Sequence, residues 1–142
     1  MIIFIPAKIN SKSIKHKNFK KIGNVTLLEN TINFAKKISK NIFVSTESEI
    51  IKKISLKKQC SVHFRKGKIA KSDIEMKYVI RDFINKYNFK DNLILLLQPT
   101  SPFRKKIFIK KALDKIKAKS VRSVISANQI NNKFLKTICL DK

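Results

Sequence analysis

Asn92-Leu93-Ile94-Leu95-Leu96-Leu97-Gln98-Pro99-Thr100-Ser101-Pro102 is the stretch on which the reading of the fold turns. From Leu93 it is apolar at successive positions, so both faces of an extended chain are apolar, which predicts a central strand with helices above and below. Two prolines then end any ladder, because neither has an N–H to donate. Upstream, Ile2 to Ile5 is a similar short run that stops at Pro6. A polar loop, Ala7 to Asn24, leads to Thr26-Leu27-Leu28-Glu29, a capping box after which Leu28, Ile32, Ala35 and Ile38 share one helical face. Asn41 to Ser45 predicts a second strand, and Thr46-Glu47-Ser48-Glu49 a second box before a helix burying Ile50, Ile51 and Ile54. Ser61 to Phe64 follows as a weaker strand. Ser72-Asp73-Ile74-Glu75 reads as a third box, opening a helix whose Met76, Val79, Ile80, Phe83, Ile84 and Tyr87 recur at i, i+3, i+4, i+7, i+8 and i+11. Past the prolines come a helix from about Lys105, with Ile109, Ala112, Leu113 and Ile116 inward, and a strand from Ser120 to Ser126.

Strands alternating with helices predict right-handed crossovers and a mostly parallel sheet, a Rossmann-like three-layer α/β sandwich. With 142 residues and 43% hydrophobic content, one core and one domain over residues 1–142 are expected. The longest apolar stretch, Leu93 to Leu97, is far short of the roughly 20 residues that span a bilayer. The start, Met1-Ile2-Ile3-Phe4-Ile5, lacks a basic leader and a cleavage site, so a cytoplasmic protein is expected, without a membrane partner. Cys60 and Cys139 have neither C-x-x-C spacing nor a His cluster, which argues against a disulfide framework or a zinc site.

A net charge of +24 would attract any polyanion. The lysines, however, are scattered through every segment, and the aromatics are mostly Phe in apolar runs instead of being interleaved with basic residues as a stacking platform requires. No specific nucleic-acid partner is expected on this pattern.

Open parallel sheets bind ligands beyond the carboxyl ends of their strands. Two loops fall there. The first, Pro6 to Asn18, brings Lys8, Asn10, Ser11, Lys12 and Lys17 onto one backbone; lysines meet phosphate oxygens as point charges, while amide and hydroxyl groups donate to phosphate or sugar. It is not a Walker A loop, since the glycines are absent. From composition alone, a Lys-rich surface loop fits these residues equally well. The second loop is Gln98 to Arg104.

Ile5-Pro6-Ala7-Lys8-Ile9-Asn10-Ser11-Lys12, followed by Lys17-Asn18, resembles the nucleotide-binding signature of the acylneuraminate cytidylyltransferases (CMP-sialic acid synthetases). Leu96-Leu97-Gln98-Pro99-Thr100-Ser101-Pro102-Phe103-Arg104 is similar to that family's second and more specific motif, L-L-Q-P-T-S-P-L-R. Ile42-Phe43-Val44-Ser45-Thr46 looks like its V-S-T strand end, Arg65 stands where an Arg-Pro pair is usual, and Ser120 to Ser126 resembles its D-S-V-V-S strand. The likeness runs from Met1 to about Ile130.

The resemblance implies the nucleotide-diphosphosugar transferase type of fold and transfer of CMP from CTP to a nine-carbon 2-keto acid sugar of the sialic, legionaminic or pseudaminic kind, releasing pyrophosphate with magnesium. By matching position, Lys8 stands for the loop arginine on the phosphates, and Asn10, Ser11 and Arg65 are nucleotide-binding. Lys12 and Lys17 are the catalytic cations, neutralising the triphosphate and leaving pyrophosphate. Asn18 fixes the loop beside them. Gln98, Thr100 and Ser101 are the sugar-binding residues, with Arg104 supporting the pocket floor. The chain departs from the family pattern at Lys8, at Lys66 in place of proline, and at Glu75 and Met76 where a Ser pair is common. Family members also carry a dimerisation segment, for a homodimer, and a late strand whose aspartates hold magnesium. Neither is visible before Lys142, so the chain reads as C-terminally truncated, with no metal-binding residue assigned. A member that binds nucleotide without turnover is the alternative.

Overall fold

The computed structural model describes residues 1–10, 14–71, 73–118 and 121–127. In chain order, β1 (Ile2–Pro6) leads to a 3-10 turn (Lys17–Phe19), β2 (Lys21–Ile22), β3 (Val25–Thr26) and α1 (Leu27–Lys36). Then come β4 (Ile42–Thr46), α2 (Glu49–Lys57), β5 (Ser61–Phe64), a second 3-10 turn (Gly67–Ala70), α3 (Met76–Tyr87), β6 (Ile94–Leu96) and α4 (Lys106–Lys117). The described residues divide into two compact units, Met1–Pro102 and the residues from Phe103 onward.

In the first unit a parallel sheet is ordered β5-β4-β1-β6. β1 is buried along its whole length, as its unbroken apolar run requires. Register pairs Phe4 with Phe43 and Leu96, and Ile5 with Val44. Because side chains alternate between faces, Ile2, Phe4 and Phe43 share one side, and there they meet Val79 and Phe83 of α3. The contact is aromatic: Phe83 lies 4.7 Å from Phe4, 5.1 Å from Phe43 and 5.3 Å from Tyr87 between ring centroids. Removing such a ring costs about 3–5 kcal/mol. The opposite side, with Ile3, Ile5 and Val44, is covered by α1 and α2, whose Leu28, Ile32, Ala35 and Ile51 are fully buried. Lys52 of α2 lies over the Phe64 ring on that face, 4.9 Å from its centroid. Helices on both sides of a parallel sheet make the predicted three-layer sandwich.

The helix starts separate correct from incorrect reading. Thr26 and Glu29 form the predicted reciprocal box on α1. At α2, Thr46 instead ends β4, and the cap is Ser48, whose hydroxyl accepts from the Ile51 N–H at 3.4 Å. Starting the helix there turns Ile51 inward and leaves Ile50 59% exposed, against expectation. At α3 the cap position is Glu75, with no side-chain cap bond, so the helix begins later than predicted; Ser72 lies outside the described residues. The C-terminus of α3 is closed by Asn88 in the left-handed region, a conformation Asn tolerates better than most residues.

Two strands differ from expectation. β6 has three residues and pairs only with β1 among the described residues, so it is an edge there and not central, and Leu96 is 37% exposed. In the second unit, residues 121–126 form no strand, Ser120 lying outside the described residues. Within α4 the positions short of full exposure are Ile109, Ala112, Leu113 and Ile116, the predicted stripe, while Ile107 and Phe108 are open. No helix of the described residues is long and apolar enough to cross a membrane.

Candidate nucleotide site

Four strand exits meet at the carboxyl edge of the sheet. Backbone bonds continue past the regular ladder: the Ala7 N–H donates to the Ser45 carbonyl (2.8 Å), Arg65 to Thr46 (2.8 Å) and Leu97 to Phe4 (2.9 Å). These bonds bring Ala7, Glu47, Arg65 and Gln98 to one edge, the place where this architecture receives ligands.

The Arg65 side chain is fully buried there and pairs through Nη2 with the Glu47 carboxylate. Nη2 also stands 3.5 Å from the carbonyls of Ala7 and Ser45. Its Nε and Nη1 have no hydrogen-bond partner among the described residues. Burial pushes the guanidinium pKa down, opposed by the Glu47 charge. An enclosed cation costs several kcal/mol unless paired, so Glu47 is what permits Arg65 to lie here. The other oxygen of Glu47, Oε1, accepts from the Ile9 N–H at 2.8 Å.

The first loop is therefore tied down on both sides. While Glu47 holds Ile9, Asn18, itself buried, donates from Nδ2 to the Lys8 carbonyl at 2.7 Å. The 3-10 turn puts Lys17 next to Asn18, and the Leu27 N–H donates to the Lys20 carbonyl where α1 begins. Between Ala7 and Asn24 the sequence has six lysines and no Asp or Glu, so the charges carried by the loop's own side chains are all positive. The second loop turns tightly, the Ser101 N–H donating to the Gln98 carbonyl, and Asn30 of α1 donates to the Pro102 carbonyl at 3.1 Å.

Below the edge runs a buried polar chain. Ser45 Oγ lies 2.9 Å from His63 Nδ1, and His63 Nε2 2.7 Å from Asp82 Oδ2. With Asp82 accepting, the partners assign the Nε2–H tautomer, and the Ser45 hydroxyl donates to Nδ1. Desolvation lowers the His63 pKa, partly offset by Asp82. Ser45 is 0% exposed, so this Ser-His-Asp arrangement presents no nucleophile to a substrate; it supports β4 and β5 from beneath.

A cytidylyltransferase family profile matches residues 2–137. The chain belongs to the cytidylyltransferase family. It is 32% identical over 133 residues to the N-acylneuraminate cytidylyltransferase of Streptococcus agalactiae, covering 91% of this chain and 32% of that protein. It is 33% identical over 132 residues to the CMP-N,N'-diacetyllegionaminic acid synthase of Legionella pneumophila, covering 87% of this chain and 57% of that one. The chain thus spans about a third to somewhat over half of these relatives. Among solved structures, a CMP:2-keto-3-deoxy-manno-octonic acid synthetase complexed with CTP superposes with a TM-score of 0.67 at 14% identity, over 82% of this chain and 47% of that chain. A cytidylyltransferase from Leptospira borgpetersenii also gives 0.67, at 21% identity, over 85% of this chain and 50% of that chain. These two likenesses establish the fold.

Against this family background, the predicted site residues fall into three groups. Lys8, Asn10, Lys17 and Asn18 share the first loop, with Asn10 exposed, Lys8 and Lys17 half-buried, and Asn18 engaged with backbone. Gln98, Thr100 and Ser101 are exposed on the second. Arg65 lies beneath the first loop. Ser11 and Lys12 lie outside the described residues, and Arg104 belongs to the second unit. Glu47 was missed by sequence reading, which assigned it to a helix start. Its signal was a carboxylate directly after a strand, at the ligand edge, in a chain with few acids. Among the described residues no group of three or more His, Cys, Asp or Glu is placed to hold a metal ion.

Proposed function

We propose that this chain binds CTP across the carboxyl edge of its sheet and takes part in transferring CMP to the anomeric hydroxyl of a nine-carbon 2-keto acid sugar. One observation carries the reading: the Lys-rich first loop and the Gln98–Ser101 turn, which hold the two motifs of the cytidylyltransferase resemblance, follow neighbouring parallel strands at the same edge. In the reaction the sugar hydroxyl oxygen forms a bond to the α-phosphorus, the bond from that phosphorus to the bridging oxygen breaks, and pyrophosphate and a proton depart. Charge accumulates on the leaving group, and a loop of lysines without acids stabilises it. Lys8 and Lys17 supply that field, with Ser11 and Lys12 assigned by resemblance. Gln98, offering two donors and an acceptor, orients the sugar with Thr100 and Ser101. The names of the Streptococcus and Legionella relatives favour a sialic- or legionaminic-type acid.

The alternative is nucleotide binding without turnover, kept beside the first because among the described residues no group of three or more His, Cys, Asp or Glu is placed to hold a metal ion. Titration with CTP, UTP and single-stranded RNA tests the binding site, and pyrophosphate release with CTP and N-acetylneuraminic or legionaminic acid separates the two readings. CTP selectivity supports both. Preference for RNA without CTP selectivity overturns them.

A further inference from the structure

On the nucleotide reading above, we propose that Glu47 is a positioning residue that transmits the hold of buried Arg65 to the backbone of the nucleotide loop at Ile9. The carboxylate faces two ways: Oε2 meets Arg65 Nη2, and Oε1 accepts from the Ile9 N–H. Arg65 is itself anchored beside the carbonyls of Ala7 and Ser45, the points where β1 and β4 leave the sheet. A single guanidinium therefore spans two strand exits, and through Glu47 reaches two residues further along the loop. Charge-assisted hydrogen bonds of this kind are stronger and more directional than neutral ones. The Thr46 hydroxyl accepts from the Ser48 N–H and bends the chain after β4, so the Glu47 side chain is held between its two partners.

The consequence is a division of labour. The loop lysines attract the triphosphate, whereas Arg65 acts through Glu47 to keep Lys8 and Asn10 in one arrangement before nucleotide arrives. Such preorganisation raises affinity by lowering the ordering cost of binding.

Glu47→Asp is the decisive variant. It keeps a negative charge beside Arg65, protecting the fold, yet is one methylene too short to reach both partners. Two quantities are measured on the full chain: exchange of the Ile9 amide by NMR, and the CTP dissociation constant. We expect Ile9 to exchange about tenfold faster and CTP to bind about tenfold more weakly, the scale of one charge-assisted bond, with Phe4 exchange unchanged. The pair Arg65→Met with Glu47→Gln removes both charges at similar volume. It is expected to loosen Ile9 and weaken CTP by about the same factor as Glu47→Asp, because the two residues act as a unit. Unchanged Ile9 exchange in Glu47→Asp overturns the clamp, as does unchanged CTP affinity once Ile9 is freed. A wild-type chain that binds no CTP defeats the nucleotide reading instead, and Ile9 exchange then decides the mechanical coupling alone.

Discussion

Asp82→Ala removes the outer end of the buried Ser45–His63–Asp82 chain. In the wild type, Asp82 Oδ2 sits 2.7 Å from His63 Nε2, while the His63 side chain is 0% exposed and Asp82 is 39% exposed. Losing the partner leaves a donor on a buried ring. Such a bond to a charged group is worth about 1.5–3 kcal/mol, and partial exposure of Asp82 lets water reach the vacated position, which reduces the loss to about 1–2 kcal/mol. For a chain of this size that is a fall of roughly 3–7 °C in Tm. The pH dependence follows from the direction of the His63 shift. Burial lowers its pKa below 6.5 more than Asp82 raises it, with Lys86 and Arg65 adding to the lowering. The unfolded chain therefore takes up a proton before the folded one does. Stability is fully present above pH 6.5 and falls as pH drops towards the folded value. In Asp82→Ala the folded pKa drops further, so the variant loses more between pH 7.5 and 5.5. Urea unfolding at these two pH values measures both slopes. A wild type that gains stability on acidification would refute the neutral-histidine assignment, and an Asp82→Ala variant as stable as wild type at both pH values would refute the bond's contribution.

Lys17→Ala is expected to weaken CTP binding by about 1.5–3 kcal/mol, against under about 0.5 kcal/mol for Lys110→Ala on the exposed side of α4; equal losses in calorimetric titrations would remove the loop assignment. Gln98→Ala should leave Tm within about 2 °C, because the side chain is exposed, while raising the apparent KM for the sugar acid. A large drop in Tm would make Gln98 a structural strand cap. Thr26→Ala should cost about 1 kcal/mol through loss of the α1 cap. Hydrogen bonds from the Thr26 backbone and side chain hold the Glu29 carboxyl below 4.5, so that stabilisation is present above this pH and disappears as the medium is acidified through the folded value. Thermal melts of wild type and variant at pH 7 and pH 3.5 check both halves of the expectation.

What the sequence revealed depended on how local the deciding interaction was. Thr26 and Glu29 satisfy one another three residues apart, so the α1 start could be read directly. The α3 face was equally plain, since its apolar spacing needs only helical geometry. Thr46-Glu47-Ser48-Glu49 misled because it offers two overlapping cap patterns; the choice falls to Ser48 once β4 extends to Thr46 and Glu47 turns to Arg65, a residue 18 positions away. β6 misled for a related reason: an apolar run predicts a strand but not where it stands in the sheet, and among the described residues it is an edge. In the site, the loops were legible because their polar residues follow strands. The burial of Arg65 and its pairing with Glu47 were not, since the letter alone does not say whether a guanidinium is enclosed or open. The Ser45–His63–Asp82 chain joins three elements and has no pattern along the sequence.

The place of β1 in the sheet also sets an order of events during synthesis. Its neighbours come from residues 42–46 and 94–96, so Ile2–Pro6 gains one flank when β4 emerges from the ribosome and waits for the other until nearly fifty more residues have been added. For that interval the nascent chain carries a five-residue apolar strand with one open edge, a template for pairing with another copy. The lysines after it act as gatekeepers, their repulsion discouraging two such edges from aligning. Replacing them to lower the protein's charge would therefore be felt first as loss of soluble yield, before any effect on the finished fold.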